Sequence, residues 1–210
     1  MRPTVVLLLS LAISNALAAP ARQQQTVLMQ GKPAGGQTVD TTADGSTRVE
    51  YQFKDRGRGD HTKTRWSLDA AGLPIEFDAE GHNYLQVPVH ERFSLKGGKA
   101  SWNNDSENGE KTLSAPAFYL PLNAPPEMQG VLARALLKAP GHTLALLPAG
   151  EARLEAAGTF DVTTNNGAAT LSLYRISGLD YTPGSVWLDA QGNTAALIMA
   201  SGWVSVIAPE

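Results

Sequence analysis

The chain has 210 residues, no cysteine and a formal net charge of −3. That length is ample for one domain with a real core. The mildly acidic balance gives no electrostatic basis for binding nucleic acid, and the lack of cysteine excludes disulfides as a source of stability.

Arg2 opens a small positive region, Val5 to Ile13 is an apolar run of signal-peptide length, and Ala16-Leu17-Ala18 is the small-x-small pattern that a signal peptidase reads. The sequence therefore predicts a Sec-type signal peptide over residues 1–18, cleaved after Ala18, and a periplasmic or secreted chain. The apolar run is too short to be a transmembrane anchor. No cysteine follows it, so a lipoprotein anchor is excluded as well. Residues 19–25 (APARQQQ) are polar and predict a loose segment, with a single β-rich domain over 26–210.

Alternation then dominates. Val49-Glu50-Tyr51-Gln52-Phe53 places apolar side chains at odd positions and polar ones at even positions. Thr64, Trp66 and Leu68 repeat the pattern, as do Leu73, Ile75 and Phe77. A period of two puts one face on a core and the other in water. Between the two earliest strands lies DRGRGDHTKTRW, Asp55 to Trp66, whose first five residues read as a sharp glycine turn. The Arg-Gly-Asp triplet inside it is a short match expected by chance.

Turn clusters fall at Asp44 to Thr47, Asp69 to Gly72, Asp78 to Gly81, Asn108-Gly109, Asn166-Gly167 and Asp189 to Gly192. The phrase Leu-Asp-Ala-x-Gly occurs at both 68–72 and 188–192, which reads as a reused hairpin. One helix interrupts the strands. Pro125-Pro126-Glu127 opens it, Met128, Val131, Leu132, Ala135 and Leu136 form its apolar stripe, and Pro140-Gly141 ends it. The predicted fold is mainly β: a curved antiparallel meander or half-barrel sheet with one amphipathic helix packed on it.

Side chains with catalytic chemistry are sparse. His61, His82, His90 and His142 form no metal-binding spacing, although His82 and His90 can meet across a turn. No nucleophile elbow, phosphate loop or other catalytic motif is present, so neither a catalytic residue nor a cofactor is predicted. Asn104-Asp105-Ser106 fits a glycosylation sequon, which matters only in a host that glycosylates. One residue breaks the local pattern. Glu91 shares strand parity with Val87, Val89, Phe93 and Leu95, so a carboxylate falls on the apolar face. A buried charge requires a partner, and Arg56 or Arg58 can supply one. The expected site is a structural ion pair between Glu91 and one of these arginines.

Six phrases, DRGRG (55–59), LDAAGLP (68–74), ERFSLKGGKASW (91–102), FYLPLNAPPE (118–127), ALLKAPGHTLALLPAGEARLE (135–155) and YRISGLDYTPGSVWLDAQG (174–192), carry a resemblance in that order. They resemble the β-rich N-terminal region of exported imidazolonepropionase-like amidohydrolases. In that family the region precedes a metal-dependent (β/α) barrel that hydrolyses C–N bonds. The barrel's ligands have no counterparts here. The resemblance implies a non-catalytic β-domain, truncated or acting beside a separate catalytic barrel chain. The alternative is a stand-alone periplasmic module that binds a lipid or other apolar small molecule.

Overall fold

The structure is a computed structural model that describes residues 21–164, 167–200 and 204–208. The predicted signal peptide and residues 19–20 lie outside the described residues. Fifteen strands form one sheet. The first arm of the meander is β1 (Ala21–Met29), β2 (Lys32–Thr41), β3 (Thr47–Phe53), β4 (His61–Leu68), β5 (Pro74–His82), β6 (Pro88–Lys96), β7 (Lys99–Asn103) and β8 (Asn108–Thr112). Then come β9 (Ala117–Tyr119) and the helix α1 (Glu127–Lys138). The second arm is β10 (Thr143–Leu147), β11 (Glu151–Thr164), β12 (Gly167–Ser177), β13 (Gly184–Leu188), β14 (Thr194–Ile198) and β15 (Val204–Ile207).

Strands consecutive in sequence are neighbours in the sheet, except β8 and β9, and β1 pairs with β15 in its middle. Every pairing is antiparallel except β9 with β10, whose crossover carries α1. This is the mainly β, curved sheet with one helix that the alternation predicts. The two outermost strands, β8 and β9, are consecutive in the chain, so the sheet must curl to bring its edges together. Closure comes through side chains. Tyr119 of β9 stacks on Phe93 of β6 with ring centroids 4.2 Å apart and planes 6° from parallel. The edge strand is thus folded in against the inner face near the opposite edge.

An aromatic row prepares that face. Register places Trp66 opposite Phe77, Phe77 opposite Phe93 and Phe93 opposite Trp102, the cross-strand contact from which sheets gain stability. Gly109 faces Trp102 on the next strand, and a Cβ at Gly109 would overlap the indole ring. Glycine is required there for space.

Helix α1 is more deeply buried than its stripe predicts. Met128, Leu132 and Leu136 are buried, but so are Glu127, Gln129, Gly130 and Ala133. The helix therefore lies inside the curled sheet. One of its polar inner residues is satisfied by strands: Gln129 Nε2 donates to the carbonyls of Ser185 (3.2 Å) and Ile198 (2.9 Å). No side chain of the preceding residues caps the helix. Instead Gln37 Oε1 of β2 accepts from the Glu127 amide at 3.1 Å, meeting one of the free donors of a helix start.

Three local expectations are corrected. Residues 21–25 are not loose: they begin β1, paired with β2 from Ala21 opposite Thr41. Gln25 is buried and the side-chain amide of Gln23 donates to the Thr194 carbonyl at 3.1 Å. Asp78 to Gly81 is not a turn but part of β5. The Asn108-Gly109 turn sits earlier, at 104–107, where Asn104 N donates to Glu107 O. Asn166 lies outside the described residues. The repeated phrase does form the same hairpin twice: Gly72 N donates to Asp69 O, and Gly192 N to Asp189 O, both at 3.0 Å.

Gly130 gives a stability test. A methyl group there would overlap Thr194 Oγ1 and crowd Glu127. Alanine gains about 1 kcal/mol of helix propensity, but overpacking costs about 1–3 kcal/mol. Gly130→Ala is expected to destabilise the protein in urea titrations; a stabilised variant would show that α1 has room to move.

Candidate functional site

Three loops and the inner face of β3 and β4 enclose a cleft of ≈ 460 Å³ at one mouth of the barrel. The first loop is the DRGRGD stretch. Asp55 and Arg58 exchange backbone hydrogen bonds (2.6 and 2.9 Å), with Arg56 at φ 51° and Gly57 at φ 81° between them. This is a two-residue turn with both central residues at positive φ, which strand twist favours. Gly59 follows at φ 154°, where a Cβ would overlap the Phe53 carbonyl. That close approach turns Asp60 toward the cleft.

The second loop is 83–87. Asn83 Oδ1 accepts from the amides of Leu85 (3.0 Å) and Val87 (3.1 Å), a side-chain turn that leaves both apolar side chains exposed. The loop is tied to the first by Gln86 Nε2 donating to Gly59 O at 3.2 Å and Tyr84 Oη to Asp55 Oδ2 at 3.2 Å.

The third wall, 120–124, is built by Glu91. Its side chain is buried, as its parity predicts. Oε1 accepts from Tyr119 Oη (2.7 Å) and the Leu122 amide (2.8 Å). Oε2 accepts from the Asn123 amide (2.8 Å) and Asn123 Nδ2 (3.1 Å). The predicted partners are elsewhere: Arg56 and Arg58 are exposed, and Arg56 Nε lies 3.7 Å from Asp55. The expected Glu–Arg ion pair is replaced by four neutral donors, which satisfy a buried carboxylate without a counter-charge. Sequence parity finds Glu91. Backbone amides 31 and 32 residues away have no sequence signature.

The floor holds Tyr51, Asp60 and Thr62. Burial pushes the Asp60 carboxyl above its ordinary pKa, opposed by a hydrogen bond from the Tyr84 amide and by the charge of His82. Burial also pushes the Tyr51 phenol up, with the Asp60 charge adding to it, so Tyr51 remains a protonated donor. Thr62 Oγ1 is buried and has no hydrogen-bond partner among the described residues. Leu85, Leu122 and Met199 surround these polar groups. His82 packs edge-on against His61, with centroids 5.8 Å apart, rather than against His90. Among the described residues no group of three or more His, Asp or Glu is placed to hold a metal, and no helix is long and apolar enough to cross a membrane.

No family model matches the chain, and no curated protein matches it. Among solved structures it is similar to a β-barrel-like protein of a domain of unknown function (DUF1849) from Brucella abortus, with TM-score 0.56 and 12% identity, covering 90% of this chain and 94% of that one. At that identity the likeness shows a shared fold. It corrects the amidohydrolase resemblance: the similarity runs through nearly the whole of a β-barrel-like protein, not through a hydrolase's N-terminal region.

Two predictions follow from the walls and the floor. Glu91→Ala strands two amides and a phenol and is expected to cost about 3 kcal/mol or more. Arg58→Ala is expected to change stability by less than about 0.5 kcal/mol, and the double variant to be additive within about the same margin. A larger coupling would put Arg58 on Glu91 after all.

Asp60 has a folded pKa above its unfolded one, so the native state holds the proton more tightly. Its contribution to stability therefore falls as pH rises through that interval, and the cost persists at neutral pH. Asp60→Asn is expected to be more stable than the parent near about pH 7, the gap closing as pH drops below the folded Asp60 pKa. Equal urea midpoints at neutral pH would mean that the carboxylate is not desolvated.

Proposed function

We propose that this chain is a stand-alone periplasmic binding module, exported by its N-terminal leader. In this reading it takes an apolar molecule bearing a hydrogen-bond donor, hydroxyl or amine, into the cleft above Asp60. One observation carries the reading: a partly desolvated carboxylate lies beneath an exposed apolar rim, Leu85 at 65% and Leu122 at 59% exposure. Small-molecule sites combine an apolar lining with a few convergent polar groups, in volumes of roughly 300–1,000 Å³. The cleft of ≈ 460 Å³ meets both conditions.

The chemistry follows from the floor. Asp60 accepts, so the ligand's polar end must donate; an amine adds charge attraction that low local dielectric strengthens. Tyr51 offers a hydroxyl to an acceptor on the same ligand. The apolar body rests on Leu85, Leu122 and Met199. Helix α1 fills the interior, so the ligand belongs at the mouth and not in the lumen.

Native mass spectrometry of the protein released from periplasm is expected to show a co-purifying apolar mass. Calorimetric titration with dodecylamine is expected to show saturable binding that Asp60→Asn weakens about tenfold, or 1.4 kcal/mol. Protein that is consistently empty, together with dodecylamine affinity indifferent to Asp60→Asn, would remove the reading.

A further inference from the structure

A second cleft, of ≈ 430 Å³, opens where the β2–β3, β4–β5 and β13–β14 connections approach α1. Val39, Trp66, Leu68 and Val131 give it an apolar floor. One wall is an ion pair held inside the barrel. Arg134 Nη2 donates to Glu127 Oε1 at 2.7 Å, Arg134 Nη1 donates to Thr194 Oγ1 at 3.0 Å, and the Thr194 hydroxyl donates on to Glu127 Oε1 at 3.1 Å. The Gly192 carbonyl accepts from Nη1 at 3.5 Å. The Glu127 side chain is 6% exposed and that of Arg134 33% exposed, so of the two the arginine presents the larger face to the cleft.

These contacts use Nη1 and one N–H of Nη2. A guanidinium has five N–H donors in a rigid fork. Among the described residues nothing accepts from Nε–H or from the second Nη2–H. Those two donors point the same way along one edge, the spacing that a carboxylate matches with two parallel hydrogen bonds. Nor does the ion pair satisfy itself: Glu127 Oε2 is buried with no hydrogen-bond partner among the described residues. A pair kept only for stability would do better fully bonded or replaced by apolar side chains.

We propose that this cleft binds the carboxylate of a small apolar acid, its oxygens on the Nε and Nη2 edge of Arg134 and its tail along Trp66, Leu68 and Val131. The charges lining the cleft balance, Arg22 and Arg134 against Glu127 and Asp189, so the Arg134 fork carries recognition and no more than a single negative group is favoured. Glu127 already offsets Arg134, so a doubly charged phosphate would meet repulsion that a monoanion largely avoids. Arg22 at the rim, 66% exposed, is offset in the same way by Asp40 at 3.6 Å. The rim carboxylate of Asp189 is occupied by its own turn, accepting from the amides of Gln191 and Asn193 and from Asn193 Nδ2. The site is distinct from the Asp60 cleft, and its ligand carries the opposite polar group.

Titration of the full chain with sodium octanoate, followed by tryptophan fluorescence and calorimetry, tests this. Octanoate is expected to bind saturably, and 1-octanol, which lacks the carboxylate, at least about tenfold more weakly. Arg134→Lys keeps the charge and loses the fork, so it should weaken octanoate by about tenfold or more. Thr47→Trp fills the cleft from its rim without touching the ion pair and should abolish binding, which guards against misfolding of the lysine variant. Asp60→Asn should leave octanoate affinity unchanged. Equal binding of octanol and octanoate, octanoate affinity indifferent to both Arg134→Lys and Thr47→Trp, or no saturable binding at millimolar concentration would each overturn the proposal.

Discussion

Tyr119 is gripped at both ends, and the rest of the molecule depends on that grip. Its ring lies 4.2 Å from that of Phe93, and its hydroxyl donates to Glu91 at 2.7 Å, two residues away on the same face of the same strand. A sheet whose outermost strands share no ladder has no backbone means of closing. Here closure comes from one edge strand folding inward onto side chains near the other edge. Glu91 then extends the grip past Tyr119 to the amides of Leu122 and Asn123. Those amides set the direction of the chain as it enters α1. One carboxylate thus links sheet closure, helix entry and the wall of the mouth cleft.

Much of the fold could be read from the sequence because its signals are local. Strict alternation at Val49 to Phe53 and at Thr64 to Trp66 matches buried and exposed positions in β3 and β4, and the two Leu-Asp-Ala-x-Gly phrases mark real turns. The misses share a cause. Gln23 and Gln25 fall in a segment that reads as polar and loose, yet with Gln37 they meet carbonyls, amides and one another inside the curled sheet. Asp78 to Gly81 carries turn residues, but Ala79 packs in the core and Gly81 sits where a Cβ would overlap the His61 carbonyl. Tertiary spacing, not local propensity, decides such positions.

The candidate site was half legible. Parity exposes Glu91 as an anomaly, and a charged partner is the natural guess because a carboxylate is usually matched by a cation. Backbone amides and a phenol serve as well, and they come from a loop whose path no local pattern records. Family-like phrases failed for a related reason. Leu-Asp-Ala-x-Gly and Lys-Gly-Gly-Lys are the vocabulary of hairpins, required by twist and positive φ wherever strands turn tightly. Such phrases report that a chain is a meander. They do not report whose meander it is.

The interior polar network explains how both clefts can be shaped in advance. Gln25, Gln37, Glu127 and Thr194 are buried, and they connect β1, β2, α1 and β14 through side-chain hydrogen bonds. An all-apolar helix could slide or turn inside such a barrel at small cost, because apolar contacts are not directional. A helix indexed by hydrogen bonds cannot, since each shift would leave several buried polar groups unpaired at about 1–3 kcal/mol apiece. The network therefore fixes the rotation of α1 and with it the direction of Arg134. The lead-in loop, held by Glu91, fixes Leu122. Rigidity of this kind lowers the ordering cost that a ligand of either proposed cleft would meet.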